Sequence, residues 1–118
     1  MSLHLTADLQ ASYRRFVTRV RETEVVWGLR NAEGWAQCPS NEYEARVLLF
    51  WSHEAYARRH AVEVWADYAP ASIPLAEFLD AWLPGMHADG SALAGVEFNA
   101  DLAGLEVEPR DLAIDLLT

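Results

Sequence analysis

The stretch from residue 46 to residue 70, RVLLFWSHEAYARRHAVEVWADYAP, contains the pattern that decides the fold. Its first part, Val47 to Trp51, is an unbroken apolar run of strand length with polar residues beyond it. Such a run is typical of a strand buried on both faces, because an exposed face would introduce alternating polar side chains. We therefore predict that this segment is the central strand of a sheet.

A short helix is predicted directly after this strand. Ser52 can accept a hydrogen bond from a free amide of the first turn, and Glu54 places negative charge at the positive end of the helix dipole. If Ser52 is the N-cap, Trp51 and Tyr56 occupy the two positions of a hydrophobic staple, which fixes the angle between strand and helix. Positive charge is favoured in a last turn, and this turn is expected to contain Arg58, Arg59 and His60.

The composition indicates a small cytoplasmic protein. A chain of 118 residues fits one domain, and five tryptophans can fill a core of that size without a disulfide or a metal. Cys38 is the single cysteine, which suits a reducing compartment. No apolar run reaches the roughly 20 residues that a membrane helix needs, and the N-terminal residues lack the pattern of a signal peptide. We expect no membrane partner.

The charge is distributed unevenly along the chain. A net charge of −9 argues against a nucleic-acid partner, because binding to phosphate backbones depends on clustered basic residues. Residues 1–30 carry five arginines against three acidic residues, a net charge of +2. Residues 63–118 carry eleven acidic residues against Arg110 alone, a net charge of −10. The absence of lysine beside nineteen alanines is typical of a GC-rich bacterial genome and indicates nothing about function.

A helix is predicted near the start of the chain. Thr6 is a suitable N-cap, and Asp8 follows in the first turn. One apolar stripe, at spacings of four, three and four residues, is formed by Leu9, Tyr13, Phe16 and Val20. The arginines away from that stripe form either a solvated face or a docking surface for an acidic partner, which includes the acidic half of a second copy. They are Arg14, Arg15, Arg19 and Arg21.

A β-hairpin is predicted next, from the two short apolar segments Val25–Leu29 and Trp35–Cys38. The residues between them include Asn31 and Gly34, which suit the positive φ of tight turns. We expect Trp27 and Trp35 to meet across the two strands, as aromatic residues often do.

The second half of the chain is predicted to alternate between helices and strands. Val62 to Tyr68 has the alternation of a short extended segment, and a loop is expected between Pro70 and Pro74. A helix begins at Leu75, and its apolar face contains Leu75, Phe78, Leu79, Trp82 and Leu83. Pro84-Gly85 is expected to end or kink that helix, and Asp89-Gly90 to form a turn.

Two further elements complete the predicted order. Leu93 to Phe98 is predicted to be a strand in which Gly95 marks a bulge or a close approach of another group. Pro109 suits the first position of a last short helix. The order α-β-β-β-α-(β)-α-β-α predicts a single α+β domain, 1–118, with a mainly antiparallel or mixed sheet of four to five strands and helices packed on it.

Several short motifs together resemble a family of small bacterial proteins known as the domain of unknown function numbered twenty-seven-fifty. They are Val26-Trp27-Gly28-Leu29, Gly34-Trp35, Phe50-Trp51-Ser52, the Trp65 and Tyr68 pair, and Ile73-Pro74-Leu75 with the helix face that follows it. Leu49 stands where the family usually has proline. The resemblance implies no activity and no catalytic residue. More faintly, the order of elements is similar to the N-terminal domain of type III secretion enhancer proteins and to immunity proteins of toxin systems.

The sequence contains no catalytic signature and no convincing metal site. The histidines His53 and His60 lie seven residues apart, near Glu54 and Glu63, whereas zinc helices place histidines four residues apart. Cys38 lies at a predicted strand end and is interpreted as a small buried apolar residue rather than a nucleophile. The six glycines are scattered singly, so no phosphate loop or dinucleotide motif is present. We predict no cofactor.

Two functional hypotheses follow from these observations. The first is a non-enzymatic interaction module, monomeric or homodimeric, whose acidic C-terminal half binds a basic protein partner. The second is a small-molecule binder or enzyme that uses an aromatic pocket, with the candidate residues Trp51, His53, Trp65, Asp67 and Tyr68. The alternative for these rings is that they simply form the core. The sequence leaves the question of enzymatic activity open and favours a binding role.

Overall fold

The computed structural model describes residues 3–40 and 43–118, and it describes side chains from residue 8 onward except at 41 and 42. The helices are α1 (Leu3–Thr23), α2 (Glu54–Arg58), α3 (Leu75–Glu77), α4 (Leu83–Asp89) and α5 (Pro109–Leu117). The strands are β1 (Val25–Asn31), β2 (Gly34–Trp35), β3 (Gln37–Pro39), β4 (Arg46–Phe50), β5 (Ala69–Pro74), β6 (Ala92–Val96) and β7 (Leu105–Val107). No described helix has both the length and the apolar character needed to cross a membrane.

The strands form two sheets, which confirms the α+β class. One sheet has the order β2-β1-β5 and the other has the order β3-β4-β6-β7. They meet where the backbones of Trp27 and Trp51 exchange two hydrogen bonds, of 2.9 and 2.7 Å. All pairings are antiparallel except that between β4 and β6. The larger sheet has four strands, within the four to five that the sequence predicted, and the described residues also form a second sheet of three strands.

The apolar run at the centre of the sequence is confirmed as a strand buried on both faces. Val47, Leu49 and Trp51 belong to one core cluster, whereas Phe50 belongs to the other and Leu48 packs against it. This alternation follows from the period of two in a strand. The strand lies between β3 and β6, so it is also central in its sheet.

The predicted cap and staple of α2 are wrong. His53 is the N-cap, and its Nδ1 atom accepts a hydrogen bond of 3.0 Å from the amide of Ala55. The helix begins one residue later than predicted, so Trp51 and Tyr56 no longer occupy staple positions. It ends with Arg58 in its last turn and Arg59 at its C-cap, and His60 lies beyond it.

The hairpin is confirmed, but its tryptophans do not pair. In the β1–β2 register Trp35 lies opposite Arg30, while Trp27 lies opposite Ser72 of β5 and opposite Trp51, which follows β4. The ring of Trp35 instead covers Gly28, where an added Cβ atom would stand 2.9 Å from two ring carbons. Gly28 therefore provides the space that the indole ring occupies.

The predicted extended segment from Val62 to Tyr68 is wrong, because the chain forms a 3₁₀ turn at Glu63–Trp65. The strand comes afterwards, as β5, and it contains the two prolines that indicated a loop. Pro70 and Pro74 fit because β5 lies at the edge of its sheet, where a missing backbone donor can face away from the neighbouring strand.

The helix that begins at Leu75 does not end at Pro84. The segment Phe78–Trp82 has π-helical hydrogen bonds, and α4 continues from it with Pro84 in its first turn. Gly90 then ends the helix in the left-handed conformation at φ 78°, which confirms the predicted turn.

The remaining predictions near the two ends of the chain are mostly confirmed. Pro109 stands in the first turn of α5 as expected, and side chains approach Gly95 closely. Strand β7 was not predicted. Helix α1 begins before Thr6, and the side chain of Thr6 lies outside the described residues.

Candidate functional site

A cleft of about 290 Å³ lies between α1, α2 and the loop that follows β6. Its floor contains the buried rings of Trp51 and Phe98. Its polar walls are contributed by Ser12, Arg15, Tyr56, Arg59, His60, Glu97 and Asn99. Two of the elements that build it, β4 and β6, are parallel neighbours, so Trp51 and Glu97 leave the same edge of the sheet.

Glu97 is a charged side chain in a buried position, 5 % exposed. Its carboxylate accepts three hydrogen bonds, from the Ser52 amide (2.6 Å), the Ser52 hydroxyl (2.9 Å) and Arg15 Nε (3.2 Å). These donors offset the loss of water that makes an isolated buried charge so unfavourable. The backbone of Glu97 lies in the left-handed region at φ 54°, a strained conformation for a residue other than glycine.

Trp51 ties the end of β4 to the loop after β6. Its indole nitrogen donates to the carbonyl of Phe98 at 3.0 Å, in a buried position. Together with the bonds between Ser52 and Glu97, this contact holds the floor of the cleft in one conformation.

His60 closes one end of the cleft and is itself buried. Its Nδ1 atom lies 2.9 Å from the carbonyl oxygen of Tyr56, and its Nε2 atom lies 2.8 Å from that of Asn99. Carbonyl oxygens only accept, and a neutral imidazole carries one N–H, so the tautomer decides which of the two carbonyls receives the hydrogen bond. The ring also packs on Trp51, with centroids 4.7 Å apart.

Tyr56 is surrounded by three arginines at the mouth of the cleft. The guanidinium carbons of Arg15, Arg19 and Arg59 lie 5.5, 5.4 and 5.3 Å from the centre of its ring. At such distances a cation is attracted by the ring. A hydrogen bond from Arg19 is the main reason that the pKa of the Tyr56 hydroxyl is lowered. Burial, the next largest effect, raises this pKa, and the charges of Arg19 and Arg15 lower it to a smaller extent.

The residues that the sequence singled out as a pocket are spread over a wider region. Trp51 lines the cleft, and the His53 ring lies on the exposed surface with its centre 5.5 Å from that of Tyr56. Trp65 and Tyr68 pack in the same core cluster as Trp51 but are not among the residues that line the cleft. Asp67 is exposed and accepts a hydrogen bond from Asn31.

Sequence reasoning placed Arg15 in a possible docking surface for an acidic partner but not in this cleft, and it missed Arg59 and Glu97 as groups that give the cleft its charge. One signal was present for Arg15, because Arg15 and Arg19 are four residues apart and so share a face of α1. No local signal relates Glu97 to Ser52, since 45 residues separate them.

Two other candidate groups from the sequence were Glu54 and Cys38. Glu54 pairs with Arg58 at 3.4 Å, and among the described residues no cluster of three or more His, Cys, Asp or Glu could hold a metal ion. Cys38 is half-buried, and burial together with a smaller effect of Glu106 raises the pKa of its thiol.

The fold and the cleft together define a small α+β domain with a basic and aromatic cleft at the carboxyl ends of two parallel strands. By sequence it belongs to the family described as Protein of unknown function (DUF2750), whose model matches residues 13–116. No curated protein and no solved structure matches the chain.

Proposed function

We propose that this protein is a non-enzymatic domain that binds a small anionic ligand in the cleft between α1 and α2. The observation that supports this most directly is the gathering of Arg15, Arg19 and Arg59 around the ring of Tyr56. The chain as a whole carries a net charge of −9, so this group of cations stands out against an acidic background.

The shape of the cleft supports a small ligand. Binding sites for small molecules are concave and largely apolar, with a few polar groups that fix orientation. Here the rings of Trp51 and Phe98 supply the apolar floor, while Arg15 and Arg59 supply charge at the walls. A volume of about 290 Å³ suits a compact ligand.

The reactive groups of the cleft favour binding over catalysis. Glu97 accepts three hydrogen bonds, and both nitrogens of His60 face carbonyl oxygens. The Ser52 hydroxyl is buried and donates to Glu97. A general base or nucleophile must reach the reacting atom, and each of these groups is engaged within the protein.

Thermal unfolding in the presence of small anions tests this proposal. We expect phosphate or an organic anion to raise the melting temperature at constant ionic strength, since a ligand at 100 times its dissociation constant stabilises by about 2.7 kcal/mol. Arg59→Gln should abolish the shift. Arg58→Gln is the matched control, because Arg58 is also exposed on α2 but does not line the cleft. The proposal fails if no anion stabilises the wild type, or if both variants respond like it.

A second candidate is the binding of a basic protein by the acidic C-terminal half, and one observation favours it. Nine of the eleven acidic residues between 63 and 118 are exposed, and in the part of the chain that the structure describes only Asp89 of these nine has an ion pair, with Arg46 at 2.7 Å. An acidic surface of this kind steers a basic partner toward it. A single cysteine, Cys38, suits a reducing compartment. We therefore propose the bacterial cytoplasm as the location for either function.

A salt-dependent pull-down tests this second candidate. Basic proteins should be recovered at low salt and lost at high salt, because a surface charge is screened within about 10 Å at 0.1 M. A variant with Asp111→Asn and Asp115→Asn on exposed positions of α5 should recover less of the same protein. Recovery that ignores both salt and substitution would rule out the acidic surface.

A further inference from the structure

We propose that the ligand of this cleft is a small phosphate monoester, with its phosphate on the arginines and its organic part against the aromatic rings. This inference rests on the proposed anion-binding function and specifies the class of ligand. It follows from the charge that the cleft leaves unbalanced and from the geometry of its donors.

The arginines are arranged in a way that is unfavourable without a ligand. Arg15 and Arg19 lie one helical turn apart, and like charges at that spacing destabilise a helix. Arg59 adds a third cation from α2, at 5.3 Å from the same Tyr56 ring. Three like charges held around one ring are expected where a bound anion offsets their repulsion.

The protein itself supplies little negative charge to this group. Glu97 is the one described carboxylate in salt-bridge contact with any of the three arginines, through Arg15. The charge of Glu97 also acts on Arg19, and that of Glu22 does so to a smaller extent. Three cations against one bonded carboxylate leave two positive charges, which a phosphate monoester can balance because it carries about −1.5 to −2 at pH 7. A carboxylate or sulfonate balances only one.

The arginine hydrogen-bond donors that do not bind Glu97 suit a phosphate group. Arg15 binds Glu97 through Nε rather than through its terminal amino groups. Guanidinium groups form paired hydrogen bonds to phosphate oxygens, and arginine is for this reason the preferred residue for phosphate recognition. A tetrahedral phosphate with three charged oxygens can contact more than one guanidinium at once, whereas a flat carboxylate has two oxygens.

The organic part of the phosphate monoester is expected to pack on the aromatic side chains of the cleft. The rings of Tyr56 and Trp51 and the side chain of Phe98 all line the cleft, and a small apolar group can pack on them. A phenyl ring fits a cleft of about 290 Å³ beside a phosphate. Phenyl phosphate is therefore a suitable probe.

Isothermal calorimetry with three matched probes tests the inference. At pH 8 and constant ionic strength, phenyl phosphate should bind at least about tenfold more tightly than benzoate or benzenesulfonate, because its second charge meets a second guanidinium. At pH 5 the phosphate loses most of that charge, and its advantage should disappear. The charged and titratable groups that line the cleft are Arg15, Tyr56, Arg59, His60 and Glu97, while Arg19 and His53 lie against the ring of Tyr56. Benzoate and benzenesulfonate carry a single charge, so a change in their affinity between pH 8 and pH 5 reports titration of these protein groups.

Substitutions show where phenyl phosphate binds. Together with the probes, they distinguish a failure of the phosphate class from a failure of the anion site itself. Arg59→Gln and Arg19→Gln should each weaken phenyl phosphate binding about tenfold or more, whereas Arg58→Gln should leave it unchanged. Equal affinity for all three probes would overturn the phosphate class while the anion site stands. No binding of any probe, or binding that Arg59→Gln does not weaken, would overturn the anion site as well.

Discussion

Ser52 and Glu97 face each other at the ends of two parallel strands, with the Ser52 amide 2.6 Å and its hydroxyl 2.9 Å from the two carboxylate oxygens. The local sequence pattern predicts that Ser52 caps a helix, but Ser52 instead binds the buried carboxylate of Glu97. His53 takes the cap instead. The consequence is a rigid connection between β4 and the loop after β6, on which the cleft is built.

Substitutions of these residues should rank in a definite order. Glu97→Gln replaces the charged acceptor of the Ser52 amide, the Ser52 hydroxyl and Arg15 by a neutral amide. Because hydrogen bonds to a charged group contribute about 1.5 to 3 kcal/mol each, it should cost more than Ser52→Ala, which removes one of them. Ser52→Ala should cost about 1.5 to 3 kcal/mol, as expected for a hydrogen bond to a charged group. His53→Ala should cost about 1 kcal/mol, as the loss of an N-cap. Urea melts measure all three, and a larger loss for His53→Ala than for Ser52→Ala would contradict the assigned roles.

Trp51→Ala is expected to be severely destabilising, even though Trp51 and Tyr56 do not form the predicted hydrophobic staple. The ring is 1 % exposed and its nitrogen donates to the carbonyl of Phe98. Truncation of a buried tryptophan typically costs about 3 to 5 kcal/mol. Trp51→Phe keeps an aromatic ring and loses the hydrogen bond, so it should cost less. Denaturant melts of both variants decide this, and a wild-type midpoint for Trp51→Ala would contradict the burial of the ring.

Two glycines should respond to alanine in opposite ways. A Cβ atom at Gly95 would stand 2.6 Å from Val47 Cγ1 and 2.9 Å from atoms of Leu49 and Phe98, and overpacking of this kind costs about 1 to 3 kcal/mol. Gly85 lies in α4 with no such neighbour, so Gly85→Ala should stabilise by up to about 1 kcal/mol through helix propensity. Thermal melts should show this opposite sign, and equal effects would contradict the packing at β6.

Tyr56 should ionise at lower pH than an ordinary tyrosine. Because the Arg19 hydrogen bond lowers its folded-state pKa, the ionised phenol contributes stability that is fully present above the unfolded pKa of about 10 and is lost as pH falls through the lowered value. Absorbance at 295 nm should show an early tyrosine transition that moves to higher pH in Arg19→Gln. Arg14→Gln, an exposed position on α1, is the control. Coincident curves for wild type and Arg19→Gln would contradict the contact.

Cys38 should react slowly with alkylating reagents. Burial is the main cause of its raised thiol pKa and Glu106 adds to it, and the thiolate is the reacting form. At pH 8 the folded chain should consume iodoacetamide more slowly than the chain in urea. Equal rates would show an accessible, ordinary thiol.

Much of the fold could be predicted because its signals are local. The apolar run of β4, the stripe of α1 and the proline at the start of α5 each depend on a few neighbouring residues. Strand β5 could not be predicted, since Pro70 and Pro74 indicate a loop unless one knows that the strand lies at a sheet edge. The cleft depends on the parallel pairing of β4 and β6, which brings Glu97 to Ser52. The sequence of either segment alone does not indicate that the two strands pair.

An NMR titration of the labelled protein with phenyl phosphate tests the central claim most directly, because it shows where the anion binds. The side-chain N–H signals of Arg15 and Arg59 and the indole N–H of Trp51 should shift in a saturable way. Signals of Arg46 and Arg110, which do not line the cleft, should stay in place. Shifts confined to Arg46 or Arg110, or no shift at saturating phenyl phosphate, would contradict an anion site at Tyr56.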